Sequence, residues 1–331
     1  MHHFQVISST LSTTGIAEFV SGKYSLPGNV VCRLLKTGIN HTYLISADKA
    51  SFIFRIYSYQ WRSRAEITEE LRLLNFLKQN NVSISWPVAD SDGNYIQTVN
   101  APEGERFAVL FSHAEGHKIQ NYNSDVHFEV GKLLAQIHKL TKDFTLDRIS
   151  YTADVLLKDS LENIKQFLSS DTEEMQFLLD TKPLLEKEIT HANTNFIKKG
   201  AVHLDIWFDN LNISDNKKIT LFDFDFCGNG WLCLDIAYYV MQLYNIEKNE
   251  TERLQKMESF LKGYNTMYEI SAEEMRVVPI LGVCLYYFYL GIQCRRFDNW
   301  SNTFLNEVYL KRYISVLIKG YYNSIKNNTV Q

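Results

Sequence analysis

The sequence predicts an α+β protein of two unequal parts, an antiparallel, β-rich part over residues 1–112 and a larger, mainly helical part over residues 113–331. Three observations carry that prediction. Up to Ser112 the chain shows short β-rich apolar runs, and after Gly116 its apolar positions recur every third and fourth residue, the period of an amphipathic helix. One island, residues 201–226, interrupts the helical pattern with short apolar runs separated by Asp, Asn and Lys. With 5 Pro, 15 Gly and no repeat or low-complexity stretch, no long linker divides the chain, so the parts are expected to pack closely.

In order along the first part, residues 30–36, 42–46, 52–57, 95–99 and 107–111 are rich in β-branched and aromatic residues and read as strands. Between the third and fourth, residues 62–80 carry Ile67, Leu71, Leu74 and Leu77 at spacings of three and four. That is a helix with one apolar face, expected to lie against the sheet. In the second part, Val130, Leu133, Leu134, Ile137 and Leu140 mark one helical face, and further helices are expected over 153–169, 173–197, 232–246, 251–266 and 302–325. Residues 277–293 contain no charged side chain and approach the length of a membrane span. Pro279, Gly282 and the tyrosines 286, 287 and 289 make this stretch read as a buried helix instead.

Composition narrows the functional classes. The chain has 331 residues, 45% hydrophobic and 22% charged, with 34 Lys plus Arg against 38 Asp plus Glu, the profile of a packed globular protein. No dense basic run supplies the electrostatic footprint of a nucleic-acid binder. Residues 1–150 carry 15 bases and 14 acids, and the remainder 19 and 24, so the surplus of acid belongs to the second part and would suit a cationic ligand. The five cysteines (32, 227, 233, 284, 294) contain no CxxC pair, which implies neither a disulfide framework nor a zinc site. The N-terminus lacks a signal-peptide pattern, so the expected compartment is cytoplasmic.

The island carries the chemistry. It reads His203, Leu204, Asp205, Ile206, Trp207, Phe208, Asp209, Asn210, and then Leu221, Phe222, Asp223, Phe224, Asp225. Phosphoryl transfer needs a carboxylate that orients the attacking hydroxyl and accepts its proton, and hard oxygen ligands that hold Mg²⁺ against nucleotide phosphates. Asp205, Asn210 and Asp223 are of those types. The five-residue step from Asp205 to Asn210 lets one loop present both side chains to one centre, and the short strand through Leu221 brings Asp223 back beside them. A metal site of His203 with Asp205, Asp209 and Asp223 is the competing reading, though with no second His nearby it is a poor zinc pattern.

With this motif the chain resembles the aminoglycoside phosphotransferase and choline kinase superfamily of small-molecule kinases, and the resemblance covers most of its length. Gly38-Ile39-Asn40-His41-Thr42-Tyr43 is similar to the family's first hairpin, Phe52-Ile53-Phe54-Arg55 to its third strand, and Glu70-Leu71 with Leu74 and Leu77 to its Glu-bearing helix. Val109-Leu110-Phe111-Ser112-His113 with Glu115-Gly116 resembles the hinge strand and its sequel, and residues 131–138 resemble the family's G-x-x-L-A-x-x-H helix. Asp223-Phe224-Asp225, Gly228, Gly230 and Asp235-Ile236-Ala237 complete the pattern in the family's order.

The resemblance implies a bilobal protein-kinase-like fold, ATP and Mg²⁺ as cofactors, and a small-molecule hydroxyl acceptor, with no nucleic acid or membrane partner. It implies Asp205 as catalytic base with His203 and Asp235 bracing its loop, and Asn210 and Asp223 as Mg²⁺ ligands. On the nucleotide side it implies Arg55 on the phosphates oriented by Glu70, together with Asn40, Phe111 and His113. Asp225 and Trp207 become candidate substrate contacts. Leu204 stands where the family usually has Gly, Arg55 where many relatives have Lys, and Trp207 and Phe208 replace smaller or more polar residues. The Asp209-Asn210 ending resembles homoserine-kinase-type members, whereas the acidic second part would suit aminoglycosides or choline.

Competing readings attach to single residues. His138 on its amphipathic helix reads as a hydrogen-bonded structural histidine, and Asp235 as a helix cap that also bonds the catalytic loop. Tyr264, Tyr268, Tyr286, Tyr287 and Trp300 would suffice for an ammonium cage, although aromatics at helical spacing are more often core. The expected function is ATP- and Mg²⁺-dependent phosphorylation of a small-molecule hydroxyl. Its rivals are a Ser/Thr protein kinase of the same superfamily, a catalytically silent nucleotide-binding protein and a purely structural helical protein.

Overall fold

A computed structural model describes residues 4–48, 50–296 and 304–328, apart from the side chains of the last two of these residues. The chain divides into two compact units, Met1–Glu115 and Gly116–Gln331.

The first unit is a six-stranded, wholly antiparallel sheet. Strands β1 (Val30–Thr37), β2 (Asn40–Ala47) and β3 (Ala50–Tyr57) form a meander, and β6 (Gly104–Ser112) joins β3 and pairs on its other side with β4 (Pro87–Val88) and β5 (Ile96–Ala101). All five expected strands are present. Along β2 the side chains alternate in burial, His41, Tyr43, Ile45 and Ala47 being the buried set, as the two-residue strand period requires. Helix α2 (Arg64–Gln79) starts at a capping box, in which Ser63 Oγ accepts from Glu66 N at 3.2 Å and Glu66 Oε2 accepts from Ser63 N at 2.8 Å.

Another helix, α1 (Thr13–Tyr24), was not legible in the sequence. Its buried residues Ile16, Val20 and Tyr24 step by four and pack with Tyr43, Ile45, Phe54, Ile56, Ala108 and Leu110. Because neighbouring β3 side chains point to opposite faces, Phe54 and Ile56 belong to the α1 side of the sheet. Arg55 and Tyr57 therefore fall on the other side, where both side chains bond Glu70 of α2.

The second unit opens with α3 (Ser124–Thr141), followed by α4 (Asp159–Ile164) and α5 (Glu173–Thr190). Two short ribbons come next: β7 (Lys199–Val202) with β10 (Gly228–Trp231), and β8 (Leu211–Ile213) with β9 (Ile219–Leu221). Helices α6 (Cys233–Ile246), α7 (Glu250–Asn265), α8 (Ala272–Arg295), α9 (Glu307–Arg312) and α10 (Lys319–Asn328) complete it. α3 and α7 cross backbone to backbone at glycines. A Cβ on Gly131 would lie 2.1 Å from the Phe260 carbonyl oxygen, and one on Gly263 would lie 1.9 Å from that of Phe128. α8 is long and apolar enough to cross a bilayer, but 72% of its most apolar stretch is buried inside the structure, as a core helix apolar all round should be.

Candidate active site

In the second unit the loop 203–210 leaves β7 and runs through a single 3₁₀ turn, Phe208–Asn210, into β8. The two ribbons set its ends. Val202 pairs with Gly228, Leu211 pairs with Leu221, and Phe222 N donates to Asn210 O at 3.1 Å. Asn210 and Asp223, far apart in sequence, are thereby held on adjacent strand ends.

Asp235 organises the loop. Its Oδ2 accepts from His203 N at 2.9 Å and lies 3.0 Å from His138 Nε2, while its Oδ1 accepts from Leu204 N at 2.5 Å. Asp235 is 0% exposed, and a carboxylate so buried requires this many donors. The expectation that it also caps its helix is corrected: α6 begins without a side-chain cap bond, and Asp235 spends both oxygens on the loop and His138. His138 is structural, as expected, with Nδ1 2.8 Å from Tyr264 Oη.

Leu204, where the family usually has Gly, is in the left-handed region with φ of 64°. A non-glycine residue there is strained by about 1–2 kcal/mol. Asp235 holds the amide on one side of Leu204, and Tyr289 Oη of α8 donates to its carbonyl on the other. His203 is buried and uses both ring nitrogens locally. Nδ1 accepts from Asp205 N at 3.0 Å and Nε2 donates to Phe222 O at 3.2 Å, with the ring edge-on to Phe224. It braces the loop to the segment that carries Asp223.

Asp205 receives side-chain donors from Asn210 and Tyr238. Asn210 Nδ2 donates to Oδ2 at 2.7 Å and to the Asp205 carbonyl at 2.9 Å, and Tyr238 of α6 donates to Oδ1. Burial foremost, and then the negative charge of Asp205, push the Tyr238 phenol well above its ordinary pKa, so it stays a donor. Tyr238 was missed by sequence reasoning, because nothing in a pattern of α6 spacing says which loop atom a phenol reaches. So was Lys118, whose Nζ lies 2.7 Å from Asp209 Oδ1 and 5.5 Å from the centre of the Phe222 ring.

The donor set fits a hard cation. Asn210 commits its amide nitrogen to Asp205, which leaves its oxygen as the ligating atom, and Asp223 adds an exposed carboxylate at the end of β9. Mg²⁺ takes one or two protein oxygens and completes its shell with phosphates and water. Among the described residues no group of three or more His, Cys, Asp or Glu is placed to hold a metal by itself, which removes the His203, Asp205, Asp209, Asp223 alternative. Asp225 is 3% exposed, and its carbonyl accepts from Arg148 Nη2 at 2.5 Å. Trp207 and Phe208 lie edge to face at 4.7 Å and line a small cavity with Tyr122, His127, Tyr239 and Gln242.

In the first unit, Arg55 of β3 is ion-paired with Glu70 of α2. Tyr57 Oη accepts from Arg55 Nη2 at 2.7 Å and donates to Glu70 Oε2 at 2.9 Å. The Arg55 guanidinium carbon lies 4.6 Å from the centre of the Phe111 ring. Asn40 opens β2 and accepts from Ser58 N at 3.3 Å, and His113 follows the end of β6. Three of the four tyrosines considered for an ammonium cage are committed elsewhere. Tyr264, Tyr286 and Tyr287 are core residues bonded to His138, Asn245 and the Leu178 carbonyl, and Trp300 lies outside the described residues.

The phosphotransferase enzyme family profile matches residues 31–274. Amicoumacin kinase of Bacillus subtilis is 23% identical over 307 residues, spanning 90% of this chain and 87% of the relative. Two solved structures share the fold. The microcompartment-associated aminopropanol kinase has a TM-score of 0.75 at 21% identity, covering 94% of this chain and 98% of its own. The amicoumacin kinase hAmiN, in complex with AMP-PNP and Ca²⁺, has a TM-score of 0.76 at 19% identity, covering 94% of each.

Proposed function

The chain belongs to the phosphotransferase enzyme family, and from that premise we propose that it transfers the γ-phosphate of ATP, with Mg²⁺, to the hydroxyl of a small molecule. The observation that carries this is the arrangement around Asp205: a carboxylate held by Asn210 and Tyr238, with the segment of Asp223 tied to Asn210 through the bond from Phe222 N, so that the two candidate oxygen ligands lie on neighbouring stretches of chain. The fold likeness to a nucleotide-analogue complex supports ATP as donor. The names of the relatives, amicoumacin kinase, homoserine kinase and aminopropanol kinase, support small hydroxyl compounds as the acceptor class.

Each side chain has a task in this reading. Asp205 orients the acceptor hydroxyl and takes its proton as the oxygen attacks, while Asn210 and Asp223 would hold the metal. Mg²⁺, when bound, neutralises phosphate charge. Arg55, fixed by Glu70, holds nucleotide phosphates through its planar donor fork. His203 and Asp235 keep the loop in shape. Asp225 and Trp207 remain the candidate contacts on the acceptor side, Asp225 through the segment it stabilises.

Mg²⁺-dependent ADP release tests the proposal, scanned over amino alcohols, hydroxy amino acids, sugars, aminoglycosides and a generic protein substrate, with Asp205→Ala as blank. Stimulation by one acceptor class, lost by about a thousandfold in Asp205→Ala, is expected. Equal release by variant and parent would sink the assignment of Asp205.

A further inference from the structure

Tyr238 deserves a role of its own in the reading just proposed, on which this inference rests. Its ring is buried against Tyr289, with centroids 5.2 Å apart, and its hydroxyl donates to Asp205 Oδ1, the carboxylate oxygen that Asn210 does not hold. Gln242, one turn further along α6, lines the cavity of Trp207, Phe208, Tyr122, His127 and Tyr239. One face of α6 therefore carries, on consecutive turns, a residue that lines that cavity and the phenol that holds the oxygen that would receive the acceptor's proton.

We propose that Tyr238 is a positioning residue that occupies the acceptor's place on Asp205 and yields it when an acceptor enters beside Gln242, so that ATP is not spent on water. A carboxylate oxygen offers two lone pairs, and a phenol held close on one of them blocks a donor arriving from the same direction. With the acceptor in place, its oxygen forms the bond to the γ-phosphorus as the bond to the β–γ bridging oxygen breaks. The electron pair leaves on ADP, and the hydroxyl proton passes to Asp205. The same step with water yields ADP and inorganic phosphate, and Tyr238 keeps water off Asp205. The phenol does not substitute as acceptor, because burial and the charge of Asp205 hold its proton on.

The experiment measures ADP release from Mg²⁺ and ATP with no acceptor added, in the parent, Tyr238→Phe, Asp205→Ala and the double variant. The phenylalanine keeps the ring packing, and thermal unfolding verifies that each variant is folded. Tyr238→Phe is expected to raise acceptor-free ADP release by about fivefold or more, and the double variant to lose that rise. A purely structural tyrosine would lower hydrolysis and transfer together. Unchanged or reduced hydrolysis in Tyr238→Phe, or a rise that survives the loss of Asp205, would overturn the proposal while leaving Asp205 as base. Acceptor-stimulated release that persists in Asp205→Ala alone would overturn both.

Discussion

Glu70 in the first unit and Asp235 in the second are both sealed from solvent, and the fold compensates them by different means. Glu70 meets a cation, the Arg55 guanidinium, with Tyr57 Oη bonded to both. Asp235 meets two backbone amides and the His138 ring. The ion pair fixes a side chain whose charge is the functional group in the proposed reading, so losing either partner strands a charge. The Asp235 network fixes backbone, so losing it strands donors and frees a loop. Under the proposed function the first arrangement would tune binding and the second the geometry of catalysis.

The sharpest way to break this comparison is Asp235→Ala. It leaves two amides and an imidazole without an acceptor, at about 1–3 kcal/mol each, and releases the strained backbone at Leu204. A fall in kcat of at least about a hundredfold, with little change in the KM for ATP, is expected from steady-state kinetics. A change confined to KM would erase the distinction. Glu70→Gln should do the reverse. It removes the counter-charge of a buried guanidinium, costs about 3 kcal/mol in thermal or urea unfolding, and raises the KM for ATP by about tenfold more than it lowers kcat.

Leu204→Gly sharpens the second half of the comparison. The variant relieves about 1–2 kcal/mol of left-handed strain and gives up a buried leucine side chain worth about 2–4 kcal/mol. Urea unfolding should report a net loss of about 1–2 kcal/mol, with kcat within about threefold of the parent if Asp235 and Tyr289 hold the loop.

The buried histidines of the two units offer a last comparison. His41 is held down at about 4 by burial and by Arg106, with Glu103 opposing, and His127 at about 4 by burial and by Lys256, beside the neutral Tyr122 and Tyr239. In both, the folded state resists a proton that the unfolded chain accepts near pH 6.5. Their contribution is therefore complete above about pH 6.5 and is lost as the pH falls towards 4, about 1–3 kcal/mol per site. Thermal unfolding between pH 7 and 5 should show Tm falling, and His127→Gln should flatten the slope. An unchanged slope would mean that this ring carries no such linkage.

Periodicity and residue type sufficed for much of this molecule. All five anticipated strands, α2, the buried character of α8 and the H-x-D-x-x-x-x-N loop with its returning Asp could be read in one dimension, because strands and helices sort apolar residues at fixed periods and catalytic types recur at fixed loop spacings. The family followed from the same motifs. α1 escaped because its apolar positions, Ile16, Val20 and Tyr24, sit among Gly, Ser and Thr that weaken the helical signal. The partners of each polar atom were decided only in three dimensions. Asp235 could be a cap or a brace on sequence grounds, and the fold made it a brace by bringing it, from residues about 30 and 100 positions away, the His203 and Leu204 amides and His138. Tyr238 reached Asp205, and Tyr289 reached the Leu204 carbonyl, for the same reason. A hydrogen bond depends on ångström-scale placement of two atoms, which packing sets and local residue order does not.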